Sequence, residues 1–277
     1  MSVLPPSMHT APLQTENALY TKQSCAYVLH GLNTNPTRME DLAELLRKKN
    51  FQTTLGTLSG HSKTASQNEI ISAARWQSEF IEQWTKATTP CQSKQDQRLF
   101  VGYSLGALTA MNIFDSQTSI PFPTNLILLS PALSFRPVVA LIRGIAWLPF
   151  GSLPSLNHPD YRARNMTPLK SYSALFKLHA GWRNFAWSRT ASIPTLVVLS
   201  ENDELVDSQG IAKELAERKL EHWKILWLHN DDAPLRPRYH HLMIDQKSMG
   251  ARAWKMLEES LANALNQSAQ ESFKNAN

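Results

Sequence analysis

The stretch LFVGYSLGALTAMNIF, Leu99 to Phe114, constrains this chain more than any other. A short apolar run, Leu99 to Val101, enters Gly102-Tyr103-Ser104-Leu105-Gly106 and leaves as an Ala/Leu/Met-rich helical pattern. That is a strand, a sharp turn and a helix, with a serine at the turn. The serine must adopt a strained backbone, and side chains two positions to either side would meet the neighbouring strand and helix. Glycine has no Cβ to collide. Ser104 is therefore the candidate nucleophile, and Gly102 and Gly106 are the glycines that let the elbow close.

The segments around this elbow alternate in type. Cys25 to Leu29 is an apolar strand ending at His30-Gly31. MEDLAELLRKK, Met39 to Lys49, has helical apolar spacing with acids early and bases late, the order that suits a helix dipole. Phe51 to Leu58 is strand-like and Ser66 to Lys86 helical, and both precede the elbow. Asn125 to Leu129, Thr195 to Leu199 and Trp223 to Leu228 are further strands, with helices over Ser208 to Lys219 and Ser248 to Leu265. Such alternation predicts an α/β fold with a mostly parallel sheet covered by helices. The interval between Leu129 and Thr195 is too long for a simple crossover. The expected organisation is an irregular arm over 1–22, a core over 23–132 and 191–266, an inserted helical cap over 133–190, and a polar tail over 267–277.

A net charge of +5, spread along the chain rather than massed with aromatics, argues against nucleic-acid binding and is compatible with weak contact at an anionic membrane surface. No apolar run is long enough to span a bilayer. Cys25 and Cys91 show neither a disulfide framework nor a metal-ligand spacing, so a reducing cytoplasm without metal is the expectation.

An activated serine needs a base, a carboxylate that orients the base, and donors for an oxyanion. In an open parallel sheet, strand ends converge on one edge where ligands bind. Asp203 follows the strand Thr195 to Leu199 and stands after Ser104 in the chain, which makes it the candidate acid, although Glu201, Glu204 and Asp207 lie close by. The base must come later still. His222, His229, His240 and His241 qualify by order, and the last two sit in the loop before the closing helix. Leu105, at a helix N-terminus, and Leu32, just after His30-Gly31, supply the candidate oxyanion amides. His30 and His61 precede the serine and read as loop organisers.

Taken in order, VLHGLNTNP with MEDLAELLRKKNF, LSGH, VGYSLGA, LVVLSENDELVD and YHHLMID resemble the α/β-hydrolase superfamily. The likeness is to its cap-bearing branch of carboxylesterases, monoacylglycerol lipases and serine-aminopeptidase-like proteins, and it spans residues 25 to 265. The resemblance implies a Ser104, Asp203 and histidine triad with Leu32 and Leu105 as oxyanion hole, and no cofactor. In that branch the histidine stands five residues before an acid, which selects His240 against Asp245, with His241 as the alternative. Two departures stand out: only a short segment precedes the His-Gly strand, where relatives often carry an antiparallel hairpin, so a shortened sheet is the expectation, and Leu58-Ser59-Gly60-His61 lacks the Asp-Pro that relatives often place before Gly-His.

The reaction implied is hydrolysis of a small hydrophobic carboxylic ester. Amide, peptide or thioester hydrolysis on the same residues, and a non-catalytic binding role, are the alternatives. Val138 to Leu148, with Phe135, Trp147, Phe150, Phe176, Trp182, Phe185 and Trp187, fits either an acyl pocket or simple packing of the cap. The acyl reading expects activity to rise from acetate to octanoate.

Overall fold

The computed structural model describes residues 22–62, 69–183, 189–229, 233–235 and 239–274. The chain runs β1 (Ser24–Leu29), a 3-10 turn (Pro36–Met39), α1 (Glu40–Lys48), β2 (Gln52–Gly56), α2 (Ala73–Thr88), β3 (Gln97–Tyr103), α3 (Leu105–Ser116) and β4 (Asn125–Leu129). It continues through α4 (Pro137–Ile142), β5 (Ser152–Pro154), β6 (Met166–Pro168), α5 (Leu169–Arg183), β7 (Thr195–Leu199) and α6 (Ser208–Glu217). β8 (Trp223–Trp227), α7 (Gln246–Met249) and α8 (Ala251–Lys274) complete the order.

Six strands form one sheet in the order β2-β1-β3-β4-β7-β8, and every pairing is parallel. This is the α/β-hydrolase arrangement, with β2 at the edge among the described residues. Alternate strand residues feed two cores. Tyr27, Leu29, Phe100, Leu126, Leu128, Val197 and Leu199 join the side chains of α2, α3, α5 and α6. Ala26, Val28, Leu99, Val101, Ile127, Leu129, Leu196 and Val198 join α1 and α8 on the other face. Both faces are buried, which is why the strands read as continuous apolar runs rather than alternating ones.

The segment between β4 and β7 departs from an all-helical cap. α4 and α5 flank a short antiparallel hairpin of β5 and β6, in a stretch whose prolines and serines carry no strand period. Trp147 and Phe150 are exposed, whereas Phe176 and Trp182 are buried. Phe185 and Trp187 lie outside the described residues, as does nearly all of the expected N-terminal arm. At the other end, α8 extends to Lys274, past the end expected at Leu265.

The cysteines correct the sequence expectation. Cys25 and Cys91 form a disulfide across a separation of 66 residues, with both side chains fully buried. The spacing holds no clue to it, because the contact is made by the sheet: β1 lies beside β3, and Cys91 sits in the loop that feeds β3. The inference of a reducing cytoplasm loses its basis with that pairing. On the chain-entropy account, a loop of this length adds about 4 kcal/mol of stability. Reduction, or the Cys25→Ser/Cys91→Ser pair, is therefore expected to lower the unfolding free energy by about that amount in a urea titration. Two free thiols titrated in the unreduced, unfolded protein would contradict the pairing.

Candidate active site

The elbow geometry follows from its glycines. Ser104 has φ 50° and ψ −111°, a conformation that non-glycine residues rarely adopt. A Cβ on Gly102 would lie 2.7 Å from the Ala107 backbone in α3, and one on Gly106 would lie 2.6 Å from the Leu29 carbonyl in β1. Only glycine permits β3, α3 and β1 to approach so closely. The strained serine is held by its backbone: its N–H donates to Leu129 O at 2.9 Å, and its carbonyl accepts from Leu108 and Ala132, each at 3.2 Å.

Register brings the partners to the same edge. Tyr103 pairs with Leu129, and Leu129 with Val198, so Ser104, Ser130 and the loop after β7 line up at the strand ends. Within that loop, Asp203 is buried and makes four hydrogen bonds. Its Oδ1 accepts from the N–H groups of Leu205 and Val206 at 2.9 and 2.8 Å. Its Oδ2 accepts from Ser130 Oγ at 2.6 Å and from His241 Nδ1 at 2.8 Å. His241 Nε2 lies 3.0 Å from Ser104 Oγ. An ionised carboxylate only accepts, so Nδ1 carries the proton and Nε2 is free to accept the serine hydroxyl.

The imidazole that reaches Ser104 is thus that of His241, not of His240, which the spacing to Asp245 favours. The reason lies in the loop's anchoring. Glu204 Oε2 accepts the His241 N–H at 3.0 Å, and the Tyr103 ring packs on the His241 ring with centroids 5.2 Å apart. Asp245 itself caps α7 and accepts from Tyr161 Oη. The carbonyl of His222 is bound at the start of β7, the wrong end of the sheet. His30 organises its loop, with Nδ1–H donating to Gly31 O and Nε2 accepting from Leu58 N–H. His61 packs against it, and burial pushes its imidazole down to about 4.

Two contributors escaped sequence reasoning. Ser130, at φ 38°, carries no periodic signal, although it ends β4 as Ser104 ends β3. Glu204 reads as solvated loop charge until His241 is placed against it. Of the other acids weighed, Asp207 caps α6 and Glu201 is exposed.

Leu105 follows the serine directly, and the loop that carries Leu32 runs beside it. Leu105 is the first residue of α3, so its N–H has no intrahelical acceptor. The loop carrying Leu32 passes against the serine: a Cβ on Gly31 would lie 3.1 Å from Ser104 Cβ. The segment between β4 and β7 braces that loop. Asn157 Nδ2 donates to Leu32 O at 2.8 Å, and Asn33 Nδ2 donates to Ser155 Oγ and Arg164 O, both at 2.8 Å. Ser104 opens onto a cavity of about 50 Å³. Phe135, Val139, Leu175, Leu205 and Val206 form its apolar side, and Asn33, Ser155, Asn157, Thr167 and Tyr172 its polar side. Among the described residues no cluster of His, Cys, Asp and Glu could hold a metal ion, and no helix is long and apolar enough to cross a membrane.

Residues 21–174, more than half of the chain, match the serine aminopeptidase S33 family. The chain belongs to that family. No curated protein sequence matches it. Similar solved structures share the fold at low identity. One is described with the metagenome-derived lipolytic enzymes LipS and LipT, at TM-score 0.67 and 20% identity over 88% of this chain and 94% of that one. The monoacylglycerol lipase of Paleococcus ferrophilus gives 0.64 and 19% over 88% and 97%. A soluble variant of monoglyceride lipase from Saccharomyces cerevisiae gives 0.69 and 11% over 89% and 87%.

The electrostatics of this S33-family site follow from the same contacts. Burial alone would raise the Asp203 carboxyl, but the attraction of His241 and the hydrogen bonds from His241, Ser130 and the Val206 amide outweigh it and hold the group below the ordinary carboxylate value. Burial alone would lower His241. The charge and hydrogen bond of Asp203, with the charge of Glu204, reverse that and raise it above 6.5. Glu204 is itself raised, chiefly by burial. His241 is expected to titrate above 6.5 in an NMR pH series, with neutral imidazole on the alkaline side, and Glu204→Gln is expected to lower the midpoint. A midpoint below 6.5, or no movement in Glu204→Gln, would contradict this electrostatic account.

Proposed function

We propose that the protein is a serine hydrolase that cleaves carboxylic esters through an acyl-enzyme on Ser104. His241 Nε2 takes the Ser104 proton as Oγ attacks the carbonyl carbon, and Asp203 stabilises the imidazolium and holds its tautomer. The Leu32 and Leu105 amides donate to the oxyanion, at a helix N-terminus that favours negative charge. The imidazolium returns its proton to the departing alkoxide. Water then enters, loses a proton to His241 and releases the acid, restoring the serine. No step draws on a metal or an organic cofactor.

The observation that carries this reading is the unbroken chain from Ser104 Oγ through His241 to Asp203, at 3.0 and 2.8 Å, opening onto a partly apolar cavity. The lipolytic and monoacylglycerol lipase names of the fold neighbours point the same way. The family's name raises aminopeptidase action as the second reading. An aminopeptidase must accommodate a protonated amine, which demands a compensating charge when buried. The cavity walls offer hydroxyl, amide, alkyl and aromatic groups with the His241 imidazole, and among the described residues no carboxylate lines them. That favours neutral esters.

Turnover of p-nitrophenyl esters by the purified protein tests the reading. Ser104→Ala and His241→Ala are each expected to reduce kcat by about 10⁴-fold, and His240→Ala far less. Undiminished activity in Ser104→Ala would remove the assignment, and a larger loss in His240→Ala than in His241→Ala would reverse the choice of base.

A further inference from the structure

Two recesses meet at one side chain. The cavity at Ser104, about 50 Å³, is bounded by Phe135. So is a cleft of about 640 Å³, whose other walls include Arg143, Arg183, Lys213 and Arg218, with Glu214 and Glu217. Phe135 stands where the chain leaves β4 for the cap, and it is fixed on several sides. Its backbone forms an antiparallel bridge with Val206, and Arg136 N–H donates to Leu205 O at 3.0 Å. Its ring meets Phe176 edge-on at 5.7 Å and packs on His179 at 4.6 Å. His179 is held in turn, its Nε2 donating to Leu133 O at 3.0 Å while Arg143 donates to its Nδ1 at 3.3 Å.

The size of the first recess limits what can occupy it. It is about a third of the roughly 150 Å³ apolar cavity known to accept benzene, so the space between Ser104 and the Phe135 ring takes only a short chain while the ring keeps its place. The cap's aromatic content suggests a long acyl pocket, yet Trp147 and Phe150 face outward and Phe176 backs the ring of Phe135.

Resting on the ester-hydrolase reading above, we propose that Phe135 is the specificity-determining partition of this site. Its ring closes the acyl end of the cavity and restricts the enzyme to esters of short-chain acids, of about two to four carbons. Behind the ring, the basic cleft is an extension that opens only when the ring is removed. This reverses the rise from acetate to octanoate that cap composition suggests.

The test is a p-nitrophenyl ester series of acetate, butyrate, hexanoate and octanoate, together with the mono-p-nitrophenyl ester of the six-carbon dicarboxylic acid. It is run on the full chain and on Phe135→Ala and Phe135→Leu. The readout is the ratio of kcat/KM values within one preparation, which is independent of the fraction folded. The wild-type octanoate to butyrate ratio is expected below one tenth. Phe135→Ala is expected to raise it at least tenfold, with Phe135→Leu between, and to prefer the carboxylate-ended ester over hexanoate because Arg143 and Arg183 line the cleft behind the ring. A wild-type ratio of one or more, ratios unchanged in both variants, or equal handling of the two six-carbon esters by Phe135→Ala would overturn the proposal. Absence of turnover of every ester, with no labelling of Ser104 by a fluorophosphonate, would instead overturn the ester-hydrolase reading on which it rests.

Discussion

The site depends on one strained residue. Ser104 sits at φ 50°, and a non-glycine residue in such a conformation costs about 1–3 kcal/mol. The surroundings over-determine it. Its N–H and carbonyl are tied to β4, α3 and the loop that follows β4, and Gly102 and Gly106 remove the two Cβ atoms that would force strand and helix apart. What the strain accomplishes is directional: the hydroxyl projects from the strand ends at the start of a helix, with a free amide at Leu105 beside it.

The rest of the constellation is assembled by sheet register. Parallel pairing aligns the ends of β3, β4 and β7, so residues far apart in sequence become neighbours. Burial of Asp203 would be costly for an unpaired carboxylate. Here its lone pairs are filled by two backbone amides, Ser130 and His241, so the charge is retained where the imidazole can use it. Glu204 plays a quieter part by holding the His241 backbone and adding negative charge nearby. Asn33 and Asn157 likewise join the Leu32 loop to the segment around β5 and β6.

How much of this was legible in the sequence varied with the range of the physics involved. Strands buried on both faces read clearly as apolar runs, and β4 and β7 fall at the expected residues. The elbow was legible because glycine is demanded by local collisions. The choice between His240 and His241 was not, since adjacent residues point apart and the loop's orientation is set by Glu204 and Tyr103, which come from elsewhere in the fold. Ser130 was invisible for the same reason. The Cys25–Cys91 disulfide depends on β1 and β3 being neighbours, a fact of topology rather than spacing. The β5–β6 hairpin has three-residue strands, too short to show a period.

The central claim is that Ser104 is the group made nucleophilic by this arrangement. Labelling of the folded protein with an alkyl fluorophosphonate, followed by mass analysis of its peptides, addresses it most directly. The account predicts a single adduct on the peptide carrying Ser104, forming faster as pH rises through the titration of His241 and absent in Ser104→Ala. An adduct on a different residue, or none on the folded protein, would contradict it.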